Sequence, residues 1–199
     1  MSIGMQERLR FGLLAVSLAI FSWLTMQILH ESGHVFHCVV SGGKISQVVL
    51  HPLAVSRTEY SKNEWPQFVA WGGIIWGSII PIVLFVAMQM RRSDLTYLAR
   101  FFAGFCLISN GVYFVVATID LGADPGDLVR FGAPRPVVGA VGGLLTLLGF
   151  VLWNGLGRSF GLGVPNHRTS VAMSIAILML ATGIAIAEAI LVAHYGIQI

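Results

Sequence analysis

The stretch FGLLAVSLAIFSWLTMQILHESGHVFHCVV, residues 11–40, decides the fold. Crossing the hydrocarbon core of a bilayer takes about 20 mostly apolar residues in a helix, and this run supplies them. It follows Arg8 and Arg10, ordinary flanks for a membrane helix. It is too long for a signal peptide and has no A-x-A-like cleavage site. At its inner end stand three ionisable residues within five, His30-Glu31-Ser32-Gly33-His34. Each such group inside a span costs on the order of 2.5–3.5 kcal/mol at the bilayer centre, so the cluster demands a partner.

Four further stretches read as spans, at about 67–90, 95–119, 137–156 and 170–195, the first of them stopping at Arg91-Arg92. Composition agrees. The 199 residues are 56% hydrophobic and only 11% charged, with a mean hydropathy of +0.80, whereas a soluble chain carries about 25% charged residues. That excludes a water-soluble enzyme, a disordered tail and a nucleic-acid binder. The net charge of +3 comes from Lys and Arg scattered in ones and twos, with no stripe suited to a phosphate backbone. Cys38 and Cys106 lie in apolar runs and read as small buried hydrophobes. The expected fold is an all-α polytopic membrane protein, a single transmembrane domain over 1–199 with about five helices. Residues 41–66 form the longest polar connection. Ile45, Val48, Leu50 and Val55 lie there among Gly, Ser and Pro, which predicts a short β-like hairpin at or near the membrane surface.

The five-residue cluster is H-E-x-x-H. Residues four apart share a helix face, so the imidazoles of His30 and His34 can reach one metal ion. Glu31 stands to one side, where it can take a proton from a metal-bound water. Zinc suits two histidines and a carboxylate with its fourth position open, and lowers the pKa of its water towards about 7. With six His and five Glu in the chain, the pattern arises by chance roughly 0.004 times per chain. Gly33 leaves room for a close approach to the helix.

Other donors are candidates for the rest of the site. His37, three residues after His34, and His51, in the hairpin region, can each ligate or simply bond to the backbone. Gln27, one turn before the motif, can support a ligand. The missing carboxylate comes from elsewhere. Alternating helices bring the motif end of the first span, residues 41–66 and the 120–136 connection to one membrane side. That side holds Asp120, Asp124 and Asp127, whereas Glu188 falls in the middle of the fifth span. Turn and cap chemistry accounts for two of the three aspartates, Asp-Pro-Gly at 124–126 being a strong turn signal. Glu188 is left to pair with an arginine or with Asn110.

H-E-S-G-H at the end of an apolar span, followed by G-G-K-I and a strand-like stretch, resembles the site-2 protease family of intramembrane zinc metalloproteases. It is closest to the small branch made of little beyond the membrane core. AWGGIIWGSIIP, Ala70 to Pro81, is similar to that family's glycine-rich segment, and DPGDLVRFGAP, Asp124 to Pro134, to its aspartate, short helix and turn. The likeness covers roughly residues 23–137, and the chain departs from the pattern in having no Leu-Asp-Gly and no Asn-Pro-Asp-Gly. The resemblance implies one zinc ion per chain held by His30, His34 and Asp124, with Asp127 as the alternative third ligand. It makes Glu31 the general base and sets Asn110 near the scissile carbonyl.

The expected activity is hydrolysis of a peptide bond in or near a transmembrane segment of a membrane-protein substrate. The alternative is a non-proteolytic metal-binding membrane protein, for which the histidines suffice and Glu31 is superfluous. The expected setting is a bacterial plasma membrane. Basic residues divide six to five between the two sides and give no orientation, whereas the resemblance turns the motif end to the cytoplasm.

Overall fold

The computed structural model describes residues 3–61, 63–161 and 170–195. Among them are seven helices and one antiparallel pair of strands. The order is α1 (Ile3–Val40), β1 (Ile45–Val49), β2 (Arg57–Tyr60), α2 (Pro66–Met90), α3 (Thr96–Asp120), α4 (Ala123–Arg130), α5 (Arg135–Trp153), α6 (Leu156–Ser159) and α7 (Val171–Tyr195). Five helices, α1, α2, α3, α5 and α7, are long and apolar enough to cross a membrane. This is the layout of a multi-pass membrane protein, with the expected hairpin after the first helix.

Span ends differ from their expected positions for local reasons. Helix α1 begins at Ile3 rather than near residue 11, because Met5-Gln6-Glu7-Arg8 are good helix formers and a helix can continue into water. Its 38 residues reach about 57 Å, close to twice a hydrocarbon core of about 30 Å. Helix α5 stops at Trp153 rather than 156, since Gly155 turns the chain left-handed with φ 74° and α6 follows.

Two packing contacts position the metal-binding side chains. Gly33 of α1 and Gly72 of α2 face each other so closely that a Cβ on either would meet the other's backbone carbonyl. The room that Gly33 leaves is therefore taken by α2. Ala70 and Ile74 of α2, Phe114 of α3, Leu128 of α4 and Val138 of α5 form one buried cluster, which locks α4 against the bundle. The Asp-Pro-Gly signal lies inside α4 instead of making a turn. Proline is tolerated in a first helical turn, where its missing N–H has no partner to lose. The chain reverses one step earlier, at Leu121 (φ 56°) and Ala123 (φ 48°), both in a region unfavourable to side chains.

The hairpin pairs Ile45 with Tyr60, Val48 with Thr58 and Val49 with Arg57, with a bulge between Ile45 and Gln47. It folds back along α1 instead of standing beyond its end. Trp23 Nε1 donates to the Pro52 carbonyl at 3.1 Å and Gln27 Nε2 to that of His51 at 3.3 Å. Gln27 Oε1 accepts from the Ser56 N–H at 2.8 Å and its hydroxyl at 2.9 Å. Trp23 lies 17 residues before the end of α1, so the hairpin tip sits about 25 Å back along that helix.

Candidate metal centre

His30 and His34 project from one face of α1, as their spacing requires. The His34 Nδ1 lies 2.9 Å from the Val69 carbonyl oxygen, which can only accept, so Nδ1 carries the ring proton. The His30 Nδ1 lies 2.8 Å from Asn110 Oδ1. Asn110 Nδ2 donates to the carbonyls of Cys106 at 2.9 Å and Gly77 at 3.4 Å, which leaves Oδ1 as the acceptor for the ring. Both histidines therefore turn Nε2 inward. A fixed partner on the far nitrogen is the usual companion of an imidazole ligand.

Asp124, in the first turn of α4, completes the centre. Its Oδ2 is 2.9 Å from His30 Nε2 and 3.2 Å from His34 Nε2, and the two Nε2 atoms are 3.2 Å apart. Tyr113 holds the aspartate at two points, its hydroxyl donating to Oδ2 at 3.2 Å and accepting from the Asp124 N–H at 3.4 Å. Burial pushes the Asp124 carboxyl up, but hydrogen bonds from His30 and His34 and their charge outweigh it and hold the group well below the usual carboxylate range. His30, His34 and Asp124 thus form a group that can hold a metal ion. Gly73 of α2 lies directly against it: a Cβ there would strike the Nε2 atoms of both histidines.

Glu31 borders the same cavity of about 430 Å³, together with Asn110, Tyr113, Asp124 and the hairpin residues Ser56 and Thr58. Thr58 Oγ1 donates to Glu31 Oε2 at 2.7 Å, so β2 orients this carboxylate.

The remaining candidates contribute no atom to the converging group. The His37 Nδ1 donates to the Phe68 carbonyl at 2.6 Å and its ring stacks on Phe68. His51 accepts the Leu53 N–H within the hairpin turn. Gln27 is occupied by the hairpin, not by a ligand histidine. Asp120 caps its own turn through the Gly122 N–H at 2.9 Å. Asp127, the alternative ligand, borders the cavity but pairs with Arg130 at 2.8 Å, and α4 turns Asp124 inward instead. Asn110 borders the cavity and also holds His30. Among the described residues Glu188 pairs with neither Asn110 nor an arginine, and its carboxyl has no hydrogen-bond partner.

Sequence reading missed Tyr113, Thr58 and the Val69 carbonyl, and it did not place Gly73 against the histidines. Only Tyr113 carried a usable signal, since it follows Asn110 by three residues on one helix face. Comparison of the chain with family models, with curated proteins and with solved structures finds no match.

Proposed function

We propose that this chain is an intramembrane zinc metalloprotease of the site-2 protease type, hydrolysing a peptide bond in or near a transmembrane segment of another membrane protein. One observation carries the reading: three ligand atoms converge beside a glutamate that borders the same cavity. Zinc bonds of about 2.0–2.2 Å set the corners of a tetrahedron roughly 3.3 Å apart. The separations here, 2.9 and 3.2 Å, support one zinc ion on His30, His34 and Asp124. When bound, zinc supplies Lewis acidity, polarising a peptide carbonyl and acidifying water.

The protein's own groups do the rest. Glu31 accepts the proton of the attacking water and passes it to the leaving amine, held in line by Thr58. Asn110 and Val69 keep both imidazoles in the ligating tautomer, and Tyr113 keeps Asp124 turned inward. A helix keeps its peptide groups in internal hydrogen bonds, so the substrate helix must unwind locally before cleavage. The resemblance implies that the motif end faces the cytoplasm, and the proposed setting is a bacterial plasma membrane.

The test joins metal content to cleavage. Detergent-purified wild type should carry about one zinc per chain and cut members of a panel of single-span membrane proteins in proteoliposomes, read as new termini by mass spectrometry. Glu31→Gln should keep the zinc and lose the cutting. A metal-free wild type after gentle purification would sink the reading. Zinc with no cleavage of any panel member would favour metal binding alone.

A further inference from the structure

Glu188 plays no part in the metal centre, yet its side chain is only 2% exposed and neither oxygen has a partner among the described residues. An unsatisfied carboxyl in an apolar span is costly and marks a functional group by default. Its helix, α7, packs on α1.

The register of that interface puts two more unpaired groups on the face of α1 towards α7, Thr25 level with Glu188 and Ser22 about one turn before it. Ile177 of α7 is in one buried cluster with Leu14 and Leu18 of α1, and with Leu156 and Phe160, which follow α5. Helix α7 therefore starts at the end of the bundle where α5 stops and runs in the direction of α1. Both helices rise equally per residue. Glu188, eleven residues past Ile177, is thus level with residues 25–29 of α1. Ser22 and Thr25 continue the stripe of Leu14 and Leu18 at helical spacing, and Glu188 continues that of Ile177 and Ala181. The hydroxyls of Ser22 and Thr25 are buried and unpartnered. Helical hydroxyls normally bond back to the carbonyl four residues earlier, as Ser17 and Ser32 of this same helix do. Ser22 and Thr25 do not.

No charge on α1 answers Glu188. Glu31 is held by Thr58, and His30 and His34 are bound to Asn110, Val69 and Asp124. What remains is one acid and two hydroxyls, a hard oxygen set with a single negative charge, which matches one positive charge and not a soft or divalent metal. We propose that the α1–α7 interface carries a binding site for one monovalent cation, a proton or a sodium ion, built from Glu188 with Ser22 and Thr25. The site is independent of the metal centre and of any proteolysis.

The test uses dicyclohexylcarbodiimide, an apolar reagent that adds to protonated carboxyl groups in apolar surroundings, on the full chain in detergent, with the labelled peptide mapped by mass spectrometry. Glu188 should be labelled in wild type and not in Glu188→Gln. Labelling that falls as pH is raised through neutrality identifies the proton. Labelling that falls at constant pH on adding sodium chloride, but not choline chloride, identifies sodium. Ser22→Ala combined with Thr25→Val should move the pH or sodium midpoint about tenfold in ion concentration. The proposal is overturned if Glu188 resists labelling throughout, if its labelling ignores both pH and sodium, or if the double variant leaves the midpoint in place.

Discussion

Asn110 Oδ1 accepts the Nδ1 proton of His30 at 2.8 Å across 80 residues of sequence, while two backbone carbonyls hold its amide nitrogen. The amide has one way to sit, and so does the ring. Asn110→Leu removes the acceptor at similar size and frees His30 to take the other tautomer. Zinc affinity should fall about 10–100-fold, the usual loss for such a partner. Chelator competition on protein that still elutes as a single folded species checks this. Unchanged affinity would mean that Asn110 only packs.

Gly73→Ala should abolish metal binding, because its methyl group would meet both Nε2 atoms. Gly143→Ala is the control, as nothing lies within 4 Å of a Cβ there. Elemental analysis should find zinc in the control and little in the Gly73 variant.

Tyr113→Phe deletes the hydroxyl that grips Asp124 and nothing else. One lost hydrogen bond to a charged group costs about 1.5–3 kcal/mol, so metal affinity should drop by roughly one to two powers of ten. In the cobalt-substituted protein the visible absorption bands should shift, a change that loss of packing alone would not produce.

The legible part of this protein was whatever is written in contiguous residues. His30, Glu31 and His34 announced themselves because a helix brings neighbours four apart together, and the five spans because apolarity over some twenty residues is a local property. The start of α1 was missed because hydropathy reports solvent preference, not backbone conformation, and Arg8 and Arg10 are helical without being apolar. Topology narrowed the carboxylate to three aspartates and the resemblance pointed to Asp124, whose inward turn depends on how Leu121 and Ala123 twist the chain. Gly73 stands beside Gly72 in the glycine-rich stretch AWGGIIWGSIIP. What sets it apart is the identity of the atoms across from it, contributed by another helix.

Asp124 also sets an acid limit. Its folded pKa is depressed, so it contributes stability that is fully present above the unfolded value, near pH 4, and lost as pH falls through the folded value. Metal-free wild type should lose thermal stability in detergent progressively below about pH 4, and Asp124→Asn should show a shallower decline there. At pH 5 the aspartate is still ionised, so its protonation does not account for metal lost at that pH.

His30 and Asp124 are 94 residues apart in the chain, and this spacing gives the centre a place in biosynthesis. The two histidines enter the membrane with the first helix, and their carboxylate partner is not translated until α3 is complete. A nascent chain halted before Ala123 carries two imidazoles and an ionisable Glu31 with no third ligand to finish the set. On the proposed reading, tight metal capture is a late event in assembly, and the metal content of a preparation should count the molecules whose first four helices have come together.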